Sequence, residues 1–256
     1  RRRQCPPRRM VAHAPYNERP PPPAPPTCDP PVLLLIPSPD TNEHGPAPAS
    51  EWPWARSADG QRIDGHGQST ASRLPADSET VLVLPPTRLS WHHVHCPKVP
   101  AARLRAVLDG LLEDRLLDEP GRVHLALEPG ARPGQALWVA ACDAAWLRQQ
   151  LAALQAAGRE VDRIVPLCAP QAEAALGAHE WGGGAWLCAS GPQGVLSLPL
   201  EAGGTPAAFQ SWAGEDALSI ALRAEPGCAA LAEQALGRPP TIEPAPQAWL
   251  RAAQGP

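Results

Sequence analysis

The chain has 256 residues, enough for one large domain or two of modest size. Its 35 prolines and 21 glycines are more than one compact core usually contains, so we expect part of the chain to lie outside a folded domain. Its 22 basic and 26 acidic side chains give a formal net charge of −4, which makes nucleic acid an improbable partner.

The cysteines and the lengths of the apolar runs indicate the cellular compartment of the protein. The cysteines are odd in number, far apart and without a C-x-x-C pair, which argues against a disulfide framework and a zinc knuckle. They are Cys5, Cys28, Cys96, Cys142, Cys168, Cys188 and Cys228. No run approaches the roughly 18 apolar residues of a membrane-spanning helix. Reduced thiols and the absence of such a run predict a cytoplasmic chain.

The amino-terminal third is uneven in composition. Residues 1–31 contain runs of proline and little apolar periodicity, which predicts a disordered tail. Residues 32–36 form a short apolar run, typical of a strand buried on both faces. Residues 38–76 are polar and rich in Gly and Pro, so we predict irregular structure that includes a short strand as an option.

The middle of the chain has the clearest pattern. Residues 80–84 and 89–96 predict two strands paired as a hairpin. Leucines recur at helical spacing over 104–116, with Pro100 at the start and Pro120 after the end, which predicts an amphipathic helix. We expect Leu111 on its inward side.

Strands and helices alternate in the rest of the chain. Asp143 is placed to cap a helix that ends at Gly158. The predicted strands are 123–127, 137–142, 164–165, 185–189 and 195–198, the last two joined as a hairpin through 190–194. The further predicted helices are 171–176, 216–223 and 226–236. The alternation predicts an α/β protein with mixed sheets in two lobes.

Residues 92–96 contain the possible metal ligands His92, His93, His95 and Cys96. Strand alternation places His93 and His95 on one face and His92 and Cys96 on the other, so at most two meet one ion. We therefore predict no metal site. The triplet 182–184 is glycine, but no Walker A or Gly-x-Gly-x-x-Gly motif occurs, which favours a flexible joint over a phosphate site. No nucleophile elbow occurs either, and we predict no catalytic or cofactor-binding residue.

Charged and aromatic residues indicate contact with another protein. Glu113, Asp114 and Arg115 are predicted on the polar side of the amphipathic helix, solvated or offered to a partner. Nine tryptophans stand beside one Phe and one Tyr. We expect some of them to be partly exposed anchors: Trp52, Trp54, Trp212 and Trp249.

Residues 84–166 resemble one family throughout. The likeness rests on the segments LSWHHV at 89–94, PKVP at 97–100, GLLEDRLL at 110–117, HLAL at 124–127 and WVAACD at 138–143. These segments resemble the L proteins of bacterial type II secretion systems.

The resemblance implies a two-lobed, actin-like (ribonuclease H-like) cytoplasmic domain at the cytoplasmic face of the bacterial inner membrane. It implies residues 32–178 as the first lobe, with an inserted subdomain at about 97–162, and residues 185–256 as the second lobe. It also implies that a membrane helix and a periplasmic domain, present in the family, are absent from this chain. The implied function is a non-catalytic scaffold that recruits the secretion ATPase, the E protein, beside the M protein, with homodimerisation possible.

Actin-like ATPases hold phosphate on an acidic, glycine-containing turn between the first two strands of each lobe. By the resemblance, the corresponding turns here are PSPDT at 37–41 and SGPQG at 190–194, in which prolines replace backbone donors. We therefore expect a degenerate nucleotide site and no cofactor. Two alternatives stay open: a cryptic ATP-binding actin-like protein, and a related pilus-assembly scaffold.

Overall fold

A computed structural model describes residues 31–39, 41–42, 45–204, 207–214 and 219–255. The predicted disordered tail, 1–31, lies outside the described residues except for Pro31. The described residues form two five-stranded sheets, one three-stranded sheet and a short ladder of β2 (Thr41–Asn42) with β3 (Gly45–Pro46).

The first sheet is built around the first apolar run. Its strands are β1 (Val32–Leu35), β4 (Glu51–Ser57), β5 (Gly65–Thr70), β6 (Glu79–Leu84) and β10 (Arg163–Pro166). They lie in the order β10-β6-β1-β4-β5, with β1 parallel to β6 and antiparallel to β4. All four residues of β1 are buried, because it lies at the centre of a sheet covered on both faces, as predicted.

The second sheet repeats this arrangement. Its strands are β11 (Ala175–Trp181), β12 (Gly184–Gly191), β13 (Gly194–Pro199), β14 (Ala221–Ala224) and β15 (Thr241–Ile242). Their order is β13-β12-β11-β14-β15, with β11 antiparallel to β12 and parallel to β14. If the five strands of each sheet are numbered by their order in the chain, they lie side by side in both sheets as third, second, first, fourth and fifth. The fold is therefore a two-lobed α/β fold with mixed sheets.

A third sheet is inserted between β6 and β10 of the first lobe. It contains β7 (Ser90–His95), β8 (Val123–Leu127) and β9 (Ala136–Asp143) in the order β7-β9-β8. The predicted hairpin of 80–84 with 89–96 is wrong, because β7 pairs with β9 instead of β6. This inserted sheet therefore begins before residue 97, the predicted start of the insertion.

Five helices cover the sheets in the described part of the chain. They are α1 (Ala101–Leu112), α2 (Ala144–Ala156), α3 (Ala207–Ala213), α4 (Ala229–Leu236) and α5 (Ala245–Ala253). The first sheet lies between α2, which contributes Trp146 and Leu154, and α5, which contributes Leu250. Since α5 follows the second sheet in sequence yet packs on the first, it joins the two lobes. One face of the second sheet packs on Phe209 of α3 and Leu236 of α4.

Three further predictions need correction. Residues 38–76 contain β4 and β5, and Trp52 on β4 is 1% exposed instead of a partly exposed anchor. The predicted helix 171–176 is wrong throughout, because residues 171–174 are not helical and β11 begins at Ala175, so the second sheet starts before residue 185. The predicted helix 216–223 is wrong at Ala221, the first residue of β14, and residues 215–218 lie outside the described ranges.

None of the helices in the described ranges has both the length and the apolar character needed to span a membrane.

Candidate functional site

A cleft lies between the lobes, beside the turn that joins the first two strands of the second lobe, where the resemblance predicts the degenerate nucleotide site. Its volume is about 210 Å³. On the second-lobe side it is bounded by the turn of Gly182 and Gly183 between β11 and β12. The sequence predicted 190–194 as the turn that corresponds to the phosphate turn of the second lobe. This prediction is wrong, because 190–194 connects β12 with β13, the second and third strands of the lobe.

The chemistry of this interlobe cleft does not suit a polyphosphate. The lining includes four prolines and three tryptophans, among them Pro39, Pro53 and Trp181. The ionisable side chains among the described lining residues are His179, Glu180 and Glu225, with no Lys or Arg among them. Carboxylates would repel phosphate in a site of reduced dielectric. The described lining therefore offers no Lys or Arg that could pair with a polyphosphate.

The second-lobe turn is a tight β-hairpin. Gly182 has φ of 58° and Gly183 has φ of 76°, as a two-residue type I′ hairpin turn requires. Trp181 pairs with Gly184 directly across the turn, and the Trp186 indole donates to the carbonyl of Trp181. These contacts hold the turn closed against its own hairpin, which leaves no wide loop of backbone donors around an anion.

The predicted partner-binding residues lie just beyond the end of α1. Helix α1 buries Leu108 and Leu112 against the inserted sheet and ends at Leu112. Residues Glu113–Arg115 form a 3-10 turn instead of the last turn of the predicted helix, and all three are exposed. The Nη1 of Arg115 donates to the carbonyl of His93 at 3.2 Å, which ties the turn to β7.

Two leucines project beside this turn. Leu111 is 49% exposed and Leu117 is 107% exposed, which places both among the most exposed large apolar side chains of the described residues. The helical periodicity predicted Leu111 facing inward, which is wrong because α1 packs on the sheet only through the adjacent Leu108 and Leu112 side. We call the set of Leu111, Glu113, Asp114, Arg115 and Leu117 the α1-turn surface.

The suspected metal ligands are separated by strand alternation. His93 and His95 are exposed, whereas Cys96 is buried among the core residues under α1. His93 packs against Trp138 with ring centroids 4.8 Å apart, and His92 Nε2 lies 3.0 Å from Ser90 Oγ. Burial and the nearby positive charge of Arg115 lower the pKa of His92. Among the described residues, no three side chains of metal-ligating type come together in a way that could hold an ion.

A family model described as Type II secretion system (T2SS), protein L, matches residues 43–201, which is more than half of the chain. The chain belongs to the T2SS protein L family. The match includes the inserted sheet, α1, the α1-turn surface and the first three strands of the second lobe. Members of this family are components of a protein secretion system, and the two-lobed α/β fold with mixed sheets predicted from the sequence is confirmed.

Three solved structures are similar to this family member. Cyto-EpsL, the cytoplasmic domain of EpsL, an inner membrane component of the type II secretion system of Vibrio cholerae, is 20% identical with a TM-score of 0.56, and the alignment covers 87% of this chain and 94% of that one. At this identity the likeness shows the fold alone.

Two more distant structures are a PilM–PilN type IV pilus biogenesis complex and a Bacteroides thetaiotaomicron protein with an actin-like ATPase fold and unknown function. The first is 13% identical, covers 84% of this chain and 88% of its own, and has a TM-score of 0.46. The second is 7% identical, covers 88% and 96%, and has a TM-score of 0.45. A search of curated proteins gives no match.

Proposed function

We propose that this chain is a non-catalytic scaffold of the type II secretion inner-membrane platform, which recruits the secretion ATPase and links it to the membrane components, among them the M protein. The observation that carries the proposal is the α1-turn surface in a member of the protein L family. In this arrangement the chain acts at the cytoplasmic face of the inner membrane.

The α1-turn surface has the anatomy of a protein interface. Large exposed apolar side chains surrounded by charges are typical of docking sites, and Leu111 and Leu117 lie on either side of Glu113 and Asp114. The 3-10 turn and the Arg115 bond to His93 tie the backbone of Glu113–Arg115 to the inserted sheet. A partner therefore meets a largely preformed surface and loses less entropy on binding.

The charges of this surface favour a basic partner. The sequence from Glu113 to Glu119 contains the acidic residues Glu113, Asp114, Asp118 and Glu119 against the single base Arg115. Opposite charges around an apolar centre mainly raise the association rate and fix the orientation of binding. We infer a partner face with apolar pockets for the two leucines and basic side chains at its rim.

The cleft supports the non-catalytic part of the proposal. Its described lining contains no Lys or Arg, which supports the inference that the two lobes are kept here without nucleotide chemistry. The lobes then act as a rigid support for surfaces such as the α1-turn surface.

Binding to the purified amino-terminal domain of the cognate secretion ATPase tests the proposal. We expect the double variant Leu111→Ser, Leu117→Ser to weaken binding at least about tenfold, because buried anchors carry most of an interface's energy. A second variant, Glu113→Lys with Asp114→Lys, should weaken binding more at low salt than at high salt.

The matched controls lie elsewhere on the surface. Ile242→Ser removes an apolar side chain that is 53% exposed, and Glu201→Lys reverses an exposed charge on the second lobe. Both should bind as the unmodified chain does. If the controls lose as much affinity for the ATPase domain as the α1-turn variants do, the α1-turn surface is not the binding site. If the unmodified chain does not bind the ATPase domain, the chain does not recruit the ATPase.

A further inference from the structure

Three tryptophans line the interlobe cleft, and two of them stand on one face of the second sheet. They are Trp181 on β11, Trp186 on β12 and Trp249 on α5. His179 pairs directly with Trp186, and Trp181 lies two residues beyond His179 on the same strand. Because directly paired residues, and residues two apart on a strand, share a face, these side chains project to one side. The opposite face, which includes Leu176, packs on α3 and α4.

The three tryptophans are half-buried, so part of each side chain is fixed in the protein. Trp181 and Trp249 pack against the core cluster of the first sheet, which contains Leu34 and Val81. The Trp186 indole donates to the carbonyl of Trp181 at 3.3 Å. The remaining surface of these side chains lines the cleft. A Trp ring has a negative face and attracts an organic cation within about 6 Å of its centroid.

The carboxylates of the cleft add negative charge beside these rings. Nδ1 of His179 lies 3.0 Å from Oε1 of Glu225, so this buried pair satisfies itself. The side chain of Glu180 has no hydrogen bond or ion pair with any other residue that the structure describes. It lies over Gly227, where an added Cβ would collide with its carboxylate. Because the described lining contains no Lys or Arg, the Glu180 carboxylate is available to a cation from outside.

We propose that the interlobe cleft binds a protonated alkylamine, with the ammonium group between the tryptophan rings and the Glu180 carboxylate. Trp binds cations best among the aromatic side chains, and the carboxylate accepts hydrogen bonds from the ammonium. The cleft volume of about 210 Å³ has room for a short alkyl chain, for which Pro39 and Pro53 provide an apolar wall. The ammonium group belongs either to a free amine or to a lysine side chain.

The cleft is separate from the α1-turn surface, so the proposal does not depend on the recruitment of an ATPase. The same lining that has no base for a polyphosphate has the rings and the carboxylate for a cation. The cleft therefore selects its ligand by positive charge.

Titration of the full chain, with nitrogen-15 in its tryptophans, with n-butylammonium chloride tests the proposal. The indole N–H resonances report on the nine tryptophans separately, and substitution of single tryptophans by phenylalanine assigns them. We expect saturable shifts at Trp181, Trp186 and Trp249. Sodium chloride at the same concentrations, and 1-butanol, which has a similar shape without the charge, should not produce them. Equal shifts from 1-butanol, shifts spread over all the tryptophans, or no saturable shift would each overturn the proposal.

Two matched pairs of variants test which groups hold the cation. Glu180→Gln should weaken the binding of n-butylammonium at least about threefold, whereas Glu201→Gln, at an exposed position outside the lining, should leave it unchanged. Trp249→Leu should weaken it at least about threefold, and Trp249→Phe, which keeps an aromatic ring, should lose less. Circular dichroism establishes that each variant is folded. Unchanged affinity in both Glu180→Gln and Trp249→Leu would contradict the proposal.

Two further probes distinguish the sources of the ammonium group. Nα-acetyl-lysine methylamide presents it on a lysine side chain between two peptide bonds, whereas n-butylammonium presents it on a free chain. Tighter binding of the lysine derivative supports the proposal with a polypeptide as the source, and tighter binding of n-butylammonium supports it with a free amine. Nα-acetyl-norleucine methylamide is the neutral control. If it binds as tightly as the lysine derivative, the cleft does not select a cation and the proposal is wrong.

Discussion

At the scale of single residues, the polar side chains of this protein are placed to satisfy particular backbone groups. Asp143 ends β9 and begins α2, and one of its carboxylate oxygens accepts from the N–H groups of Ala145 at 2.7 Å and Trp146 at 3.0 Å. These N–H groups have no partner inside the helix. The sequence predicted this cap from the position of Asp143 before an apolar periodic segment, and the structure confirms it.

Removal of the cap should cost stability without changing the fold. We expect Asp143→Ala to lower the free energy of unfolding by about 1 kcal/mol, because two N–H groups of the first turn lose their acceptor. Urea denaturation measures the change. Asp143→Asn keeps a capping oxygen and should lose clearly less, so an equal loss in both variants would contradict the capping role.

The pairing of Cys168 with His179 makes stability depend on pH. The folded-state pKa of Cys168, about 5, lies below the ordinary value of 9.0. The stabilisation from its thiolate is therefore fully present above the ordinary value and is lost as the pH falls toward the folded value. Cys168→Ser should destabilise the protein more at pH 8 than at pH 5, as measured by urea denaturation at both values. A larger effect at pH 5 would contradict the thiolate assignment.

At the scale of secondary-structure elements, the sequence predicts those elements whose own residues carry the full helix or strand pattern. The leucine spacing of α1 and the cap and glycine stop of α2 identified both helices, and the apolar run of β1 identified a strand buried on both faces. Strands β4 and β11 were missed for opposite reasons. Pro53 lies inside β4, and prolines argue against a central strand, whereas β11 mixes small, charged and aromatic residues without alternation.

The sequence predicted where strands lie better than it predicted which strands pair with each other. Residues 80–84 and 89–96 are close in sequence and look like a hairpin, yet β6 joins the first sheet and β7 the inserted one. Pro85 and the 3-10 turn Pro86–Arg88 direct the chain from one sheet to the other. Nothing in the local pattern encodes this choice. The shared face of His179 and Cys188 was missed for the same reason, because it exists only after β11 and β12 pair.

The hairpin of β12 and β13 docks on the inserted sheet through Gly194. This glycine has φ of +113°, and a Cβ there would stand 2.9 Å from Cη2 of Trp138. We expect Gly194→Ala to destabilise the protein by about 1–3 kcal/mol, from backbone strain and displacement of Trp138. Thermal denaturation measures it. Gly203→Ala is the control, because a Cβ at Gly203 meets nothing within 4 Å and its φ is not positive.

At the scale of the whole molecule, the two lobes repeat one strand order, and α5 connects them. Leu250 of α5 is 1% exposed and packs in the same cluster as Leu34 and Val81 of the first sheet. A helix contributed by the end of the second lobe thus completes the core of the first. We expect the lobes to unfold together for this reason.

Truncation of this contact tests the coupling of the lobes. Leu250→Ala should lower the free energy of unfolding by about 2–4 kcal/mol, the usual range for a buried leucine. The transition should remain single when followed by tryptophan fluorescence and by circular dichroism. Leu111→Ala, at an exposed position, should change the free energy by less than about 0.5 kcal/mol. Two separate transitions in Leu250→Ala would show that the lobes are independent.

The proposed scaffold function accounts for a two-lobed fold whose cleft is lined by prolines, tryptophans and carboxylates. A protein that holds partners needs the rigid lobes and a surface, and it does not need the phosphate turns. A partner interface of standard size would bury about 1,200–2,000 Å², which extends well beyond the α1-turn surface onto the neighbouring inserted sheet.

The most direct test is calorimetric titration of the 256-residue chain with two ligands in separate experiments, the amino-terminal domain of the cognate secretion ATPase and ATP with magnesium. We predict saturable binding of the ATPase domain and no heat from ATP. Binding of ATP without binding of the ATPase domain would contradict the scaffold function and would point to a nucleotide enzyme instead.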